Sequence, residues 1–240
     1  MTPAVPNHQA NHSPTPHSTS TKPYILEVSG VSKSFRVAEA EVPILKNVSV
    51  KIETGAFVII IGPSGCGKST LLHTLLGLEP PSQGKVTFLG KDLYSLPDED
   101  TRADFRKRHA GMVYQQANWI KSLTVVENVA LPLQLLGVHK TDALKKALEM
   151  LGLVEIEAWA DYVPSELSSG QQQRVSLARS LITNPDLIVA DEPTGNLDYD
   201  SGQDLMRLLT RFNQAGKTIL MVTHDLKYLK KKKKAVKIFD

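Results

Sequence analysis

A lysine closes the glycine-rich stretch GPSGCGKST at 62–70, and two carboxylates, Asp191 and Glu192, follow the apolar run LIVA at 187–190. The spacing G-x-x-x-x-G-K-[ST] is that of a loop that cradles nucleotide phosphates. Gly62, Gly65 and Gly67 let the backbone turn tightly and approach an anion, with Pro63, Ser64, Cys66 and Thr70 completing the cradle. A helix expected from Lys68 turns its unpaired amides and positive dipole end toward the same anion. Lys68 is expected to pair with the β- and γ-phosphates of ATP, and the Ser69 hydroxyl to ligate Mg²⁺. A glycine-rich turn without a ligand is the bland alternative. Strand, loop, lysine, hydroxyl and helix in sequence argue against it.

The adjacent acids can take different roles because their surroundings differ. Asp191 is expected to hold Mg²⁺, directly or through water. Glu192 is expected to polarise the attacking water as general base, an effect worth about 10²–10⁴ in rate. Two solvated acids in a turn are the alternative, since DEPTGNLD also carries Pro and Gly. The buried strand before them favours catalysis. Cys66 reads as a small residue in a tolerant position, and alkylating it is expected to inhibit an ATPase unless ATP is bound.

These groups must be held by an α/β frame. Runs rich in β-formers occur at 24–28, 48–52, 57–61, 86–89, 111–114, 187–190 and 218–222, with helical patterns at 68–77 and 170–182 between some of them. Such alternation implies a mainly parallel sheet with ligands at the carboxyl ends of its strands. Residues 98–166 break the alternation and read as mostly helical. Thr124 and Glu127 fit a capping box opening a helix over 125–135, with a kink expected at Pro132. Leu144, Leu148 and Leu151 mark the apolar stripe of another helix, from about Thr141.

Composition narrows the class. Residues 1–22 carry Pro, Ser, Thr, Asn and His and few large apolar side chains, which reads as a disordered tail. A net charge of +3 gives no reason to expect a nucleic-acid partner. One cysteine excludes an intramolecular disulfide and fits a reducing cytosol. No apolar run approaches the roughly 20 residues that span a bilayer, and no signal peptide is read at the start. Any membrane part is therefore expected on another polypeptide.

LSSGQQQR at 167–174 resembles the signature of ATP-binding cassette (ABC) proteins, and the resemblance runs from about residue 24 to 240. It implies an α/β P-loop NTPase (RecA-like) fold: a mainly parallel core sheet, an N-terminal antiparallel β subdomain and an inserted helical subdomain at about 98–175. It also implies a head-to-tail dimer around two ATP molecules, in which Ser168, Gly170 and Gln171 of one copy face the γ-phosphate held by the other. Ser169 stands where the family usually has glycine. Gln115 resembles the glutamine that senses Mg²⁺ and the attacking water, with Gln116 one residue out of register. Asp198 resembles the aspartate linking the two sites, His224 the switch histidine at the γ-phosphate, and Phe35 the aromatic under adenine, although Phe35 could equally be core.

ADEPTGNLD, the spacer AEAEVP at 38–43 and TVVENVALPL look like the lipoprotein-releasing and macrolide-exporter group. That likeness implies an integral membrane permease subunit, whose cytoplasmic helix enters a groove near 115–135, and a place on the cytoplasmic face of the inner membrane. A regulatory or scaffolding ATPase of the cell-division type, which moves no substrate, is the alternative. The run Lys230–Lys234 departs from the pattern and reads first as solvated lysines, with attraction to anionic lipid as a minority reading.

Overall fold

The computed structural model describes residues 24–116, 118–225 and 235–237. The 1–22 tail and the Lys230–Lys234 run lie outside the described residues. In chain order the elements are β1 (Tyr24–Val37), β2 (Ala40–Glu53), β3 (Phe57–Ile61), α1 (Lys68–Leu75), β4 (Gln83–Phe88), β5 (Lys91–Asp92) and α2 (Glu99–His109). They continue as β6 (Ala110–Val113), α3 (Val125–Leu135), α4 (Lys140–Leu153), α5 (Ser169–Leu181), β7 (Leu187–Asp191), α6 (Tyr199–Gln214), β8 (Thr218–Thr223) and β9 (Ala235–Lys237).

Two sheets result. One is parallel, in the order β6-β7-β8-β3-β9, and the other is antiparallel, in the order β2-β1-β4-β5. Strands β3, β7 and β8 are apolar at nearly every position because the parallel sheet is buried on both faces. Their alternation splits one run into two cores. Ile59, Ile61, Ile188, Ala190, Ile219 and Met221 pack toward α3–α6. Val58, Ile60, Leu187, Val189, Leu220 and Val222 pack toward α1 and the antiparallel sheet. The two layers clamp the carboxyl ends of β3, β7 and β8 in one row, which is where the chemistry collects.

Four elements differ from the sequence reading. β1 and β2 are 14 residues each and form one long hairpin, so the supposed spacer at 38–43 is its tip and the start of β2. The tip is solvated on both faces, which leaves no apolar alternation to read. In α4 the buried stripe is Ala143, Ala147 and Leu151, while Leu148 is 39% exposed and Leu144 only partly buried. Alanines one turn apart let α4 lie close against its neighbours, and the larger leucines flank that seam. α6 buries Leu205, Met206, Leu208 and Leu209, a helix that the sequence reading did not place.

The expected capping box is present. Thr124 Oγ1 accepts from the Glu127 amide while Glu127 Oε2 accepts from the Thr124 amide, closing the capping box of α3. The helix runs on through Pro132 to Leu135. The parallel edge strand β6 falls inside the 98–175 span, so helices on both sides of it are continuous with the core sheet.

Candidate functional site

β3 ends in the glycine loop, and α1 begins at Lys68 without a side-chain cap or an acidic residue in its first turn. Its positive end is left facing the loop. Gly65 and Gly67 stand at φ 80° and 96°. At Gly67 the constraint is double: a Cβ there would lie 2.9 Å from Ile44 Cγ2 and 3.2 Å from the Ile44 carbonyl oxygen. The long hairpin is thus pressed onto the loop, and only glycine fits beneath it.

A cleft of about 420 Å³ opens at this point. Around it stand Ser64, Gly65, Gly67, Lys68, Ser69 and Thr70 from the loop, with Phe35 and Ile44 from the hairpin. Gln115, which follows β6, and Asp191 and Glu192, at the end of β7, close it. Phe35 is 37% exposed and carries the Lys33 ammonium 4.8 Å from its ring centroid, so it is a rim residue and not core. Gln115 borders this cleft, whereas Gln116 lines a separate cavity next to it.

Charges inside the cleft are tied together. Lys68 is 6% exposed and donates to the Gly62 carbonyl at 2.9 Å and the Pro63 carbonyl at 2.7 Å. Its Nζ is 3.6 Å from Glu192 Oε1. His224 Nδ1 lies 2.8 Å from Glu192 Oε2. Because β7 and β8 are paired, the Glu192 amide donates to the Val222 carbonyl at 2.9 Å, which brings His224 within reach. Glu192 itself sits at φ 46°, a left-handed conformation costing on the order of 1–3 kcal/mol for such a residue. That strain aims its carboxylate back between lysine and histidine. Asp191 Oδ2 is 3.4 Å from Ser69 Oγ, and burial first, then the Glu192 charge, pushes the Asp191 carboxyl above its usual range. Cys66 is half-buried within the loop, its amide donating to the Pro63 carbonyl at 3.4 Å.

Four expected residues lie elsewhere. Ser168 caps α5 and exchanges two hydrogen bonds with Gln171. Asp198 caps α6, accepting from the Ser201 amide and hydroxyl at 2.9 and 2.8 Å. A Cβ on Gly170 would lie 2.8 Å from Ser201 Oγ, so the amino ends of α5 and α6 abut. Ser168, Gly170, Gln171 and Asp198 therefore form a second cluster, apart from the cleft. Two contributors escaped the sequence reading. Ile44 walls the glycine loop, and Asn196 Oδ1 accepts from Gln115 Nε2 at 3.4 Å. Asn196 lies within the GNLD stretch already singled out; Ile44 carries no sequence signal beyond being apolar.

A parallel strand, a glycine turn ending in lysine, an uncapped helix and an acid pair at the end of β7, with β8 between it and β3, define a P-loop ATPase. Residues 45–195 match the model of the ABC transporter family. The chain is 40% identical over 215 residues to the lipoprotein-releasing system ATP-binding protein LolD of Colwellia psychrerythraea, covering 89% of this chain and 83% of that protein. It is 42% identical over 201 residues to the macrolide export ATP-binding/permease protein MacB of Chlorobaculum tepidum, covering 84% of this chain and 31% of that longer protein. The dimeric post-hydrolysis structure of the cassette MJ0796 bound to ADP and Pi superposes with a TM-score of 0.78 at 40% identity, over 84% of this chain and 89% of that one. The chain belongs to the ABC transporter family, as an ATP-hydrolysing subunit of the LolD and MacB group.

Proposed function

We propose that two copies of this chain close head to tail around two Mg²⁺-ATP, and that closure and reopening drive a separate integral membrane subunit at the cytoplasmic face of the membrane. The observation that carries this reading is the split between two clusters. Phosphate-loop residues line the cleft, whereas the Ser168–Gln171 corner lies outside it at another helix start. A hydroxyl and the first amides of a helix N-terminus suit an anion, and a second copy brings such an anion to them. The MJ0796 cassette with ADP and Pi is dimeric, which supports a dimer here.

ATP phosphates are cradled by the loop amides from Gly65 to Thr70, and adenine rests at Phe35. Lys68 trades its two carbonyl acceptors for β- and γ-phosphate oxygens, which are stronger partners because they are charged. Glu192 takes a proton from water as the water oxygen bonds to the γ-phosphorus and ADP departs. Lys68 Nζ stands 3.6 Å from one Glu192 carboxylate oxygen, and His224 holds the other in place. The Ser69 hydroxyl, Asp191 carboxylate and Gln115 side chain offer hard oxygen donors. Asp191's raised carboxyl marks a charge that a cation would relieve. Few protein donors suffice for Mg²⁺, an ion that keeps waters and phosphate oxygens. When bound, Mg²⁺ would neutralise charge developing on the β- and γ-oxygens.

Among the described residues no helix is long and apolar enough to cross a membrane. A groove of about 340 Å³ between β6, α3 and α5, with Tyr114, Pro132, Leu135 and Arg179 on its walls, offers a seat for a cytoplasmic helix of the membrane subunit. Leu135 is 64% exposed there. The test is Glu192→Gln in the presence of ATP and Mg²⁺. Turnover should nearly vanish while a dimer accumulates on size exclusion; an ATP-loaded monomer that still hydrolyses would overturn the reading.

A further inference from the structure

Three consecutive glutamines open α5, and each ties the helix to something different. Gln171 closes the cap on Ser168. Gln172 donates to the Leu167 carbonyl and accepts from the Trp119 indole at 3.1 Å. Gln173 is the buried one, 5% exposed, and both its amide hydrogens are spent on one loop. Its Nε2 donates to the Tyr114 carbonyl at 2.9 Å and to the Gln115 carbonyl at 2.8 Å. Those carbonyls follow β6, at the point where Gln115 turns toward the ATP cleft. Its Oε1 is buried and has no hydrogen-bond partner among the described residues. A buried amide that leaves its acceptor unpaired is costly, and here the donor half makes two bonds to a single short segment.

The Gln115 side chain is held more weakly than its backbone. Its bond to Asn196 is 3.4 Å long, and Gly195 leaves room for it: a Cβ there would lie 2.8 Å from Gln115 Nε2, the movable end of the side chain. The firm anchor is the pair of bonds from Gln173. We propose that Gln173 is a positioning residue for ATP hydrolysis, fixing the Tyr114–Gln115 backbone so that Gln115 meets the cleft. On the dimer reading above, the same side chain joins the two sites within one copy. Ser168, the cap of α5 five residues earlier, serves the ATP of the partner, while Gln115 serves the chain's own ATP. A shift of α5 on closure is thereby passed to Gln115 through two hydrogen bonds.

The test uses the full-length protein with Gln173→Met, which keeps length and helix propensity and removes both donors. Wild-type turnover and the ATP-dependent dimer of Glu192→Gln are measured first, because their failure would strike the dimer reading and not this one. For Gln173→Met the expected result is a fall in kcat of about 10-fold or more with ATP affinity within about 2-fold of wild type. Hydrogen exchange should quicken in peptides covering 113–116 and stay unchanged in those covering 187–191. Should that variant not fold, Gln173→Asn, which keeps the amide one methylene short, should show the same split to a smaller degree. Unchanged kcat overturns the proposal. So does a loss of kcat matched by equal losses of ATP affinity and thermal midpoint, since that describes a packing residue.

Discussion

Glu192 is held from three directions, by its own backbone bond to Val222, by Lys68 at 3.6 Å and by His224 at 2.8 Å. A side chain so constrained loses little orientational freedom when water must be aligned, and its removal should register in rate before affinity. Glu192→Gln should lower kcat by about 10²–10⁴ with ATP dissociation constants changed only a few-fold, as read by phosphate release and equilibrium binding. Lys68→Ala tests the opposite partition. Its ammonium replaces two neutral acceptors by phosphate oxygens, and hydrogen bonds to charged groups are worth about 1.5–3 kcal/mol. ATP binding itself should weaken by about 10- to 100-fold at unchanged pH and Mg²⁺. Equal affinity for wild type and variant would remove the lysine from the phosphate contact.

Elements set how much of this could be read without coordinates. The phosphate loop was legible because its chemistry is local: glycines, lysine and hydroxyl follow one buried strand within nine residues. His224 comes beside Glu192 because two apolar strands in a parallel sheet bring their carboxyl ends level. The hairpin tip was not legible, being solvated on both faces, and neither was the wall that Ile44 makes against Gly67. Tertiary approach of that kind leaves only a glycine as its trace. Gly111 is a second such trace. A Cβ on it would lie 2.0 Å from the Ser180 carbonyl oxygen and 3.1 Å from Pro185 Cγ, so β6 and α5 touch through bare backbone. Gly111→Ala must push α5 away from the sheet. Overpacking of this kind costs about 1–3 kcal/mol, and at roughly 2–4 °C per kcal/mol for a domain of this size calorimetry should show a midpoint lowered by about 2–12 °C. Activity should fall as well, since α5 carries both Ser168 and Gln173. A variant as stable and active as wild type would mean that the two elements are not so closely seated.

Across the whole molecule, the two clusters make a prediction that a self-sufficient site does not. If each ATP lies between the loop of one copy and the Ser168 corner of the other, damage to loop and corner on different chains is complementary. Lys68→Ala alone disables both loops of its dimer, and Ser168→Arg alone disables both corners. Ser168→Arg puts a long cation where a cap now exchanges two hydrogen bonds with Gln171, so circular dichroism should first show that α5 remains folded. Each variant by itself should be nearly inactive. Mixed, they generate dimers in which one site is doubly damaged and the other is whole, the intact loop coming from the Ser168→Arg chain and the intact corner from the Lys68→Ala chain. With random exchange half the dimers are mixed and each has one working site, so turnover should return to at most about a quarter of wild type. Recovery should vanish when Glu192→Gln is placed on the Ser168→Arg chain, whose acid serves the one whole site, and should persist when it is placed on the other chain. If mixing gives only the sum of the two inactive proteins, the Ser168 corner acts within its own chain and the trans arrangement is wrong.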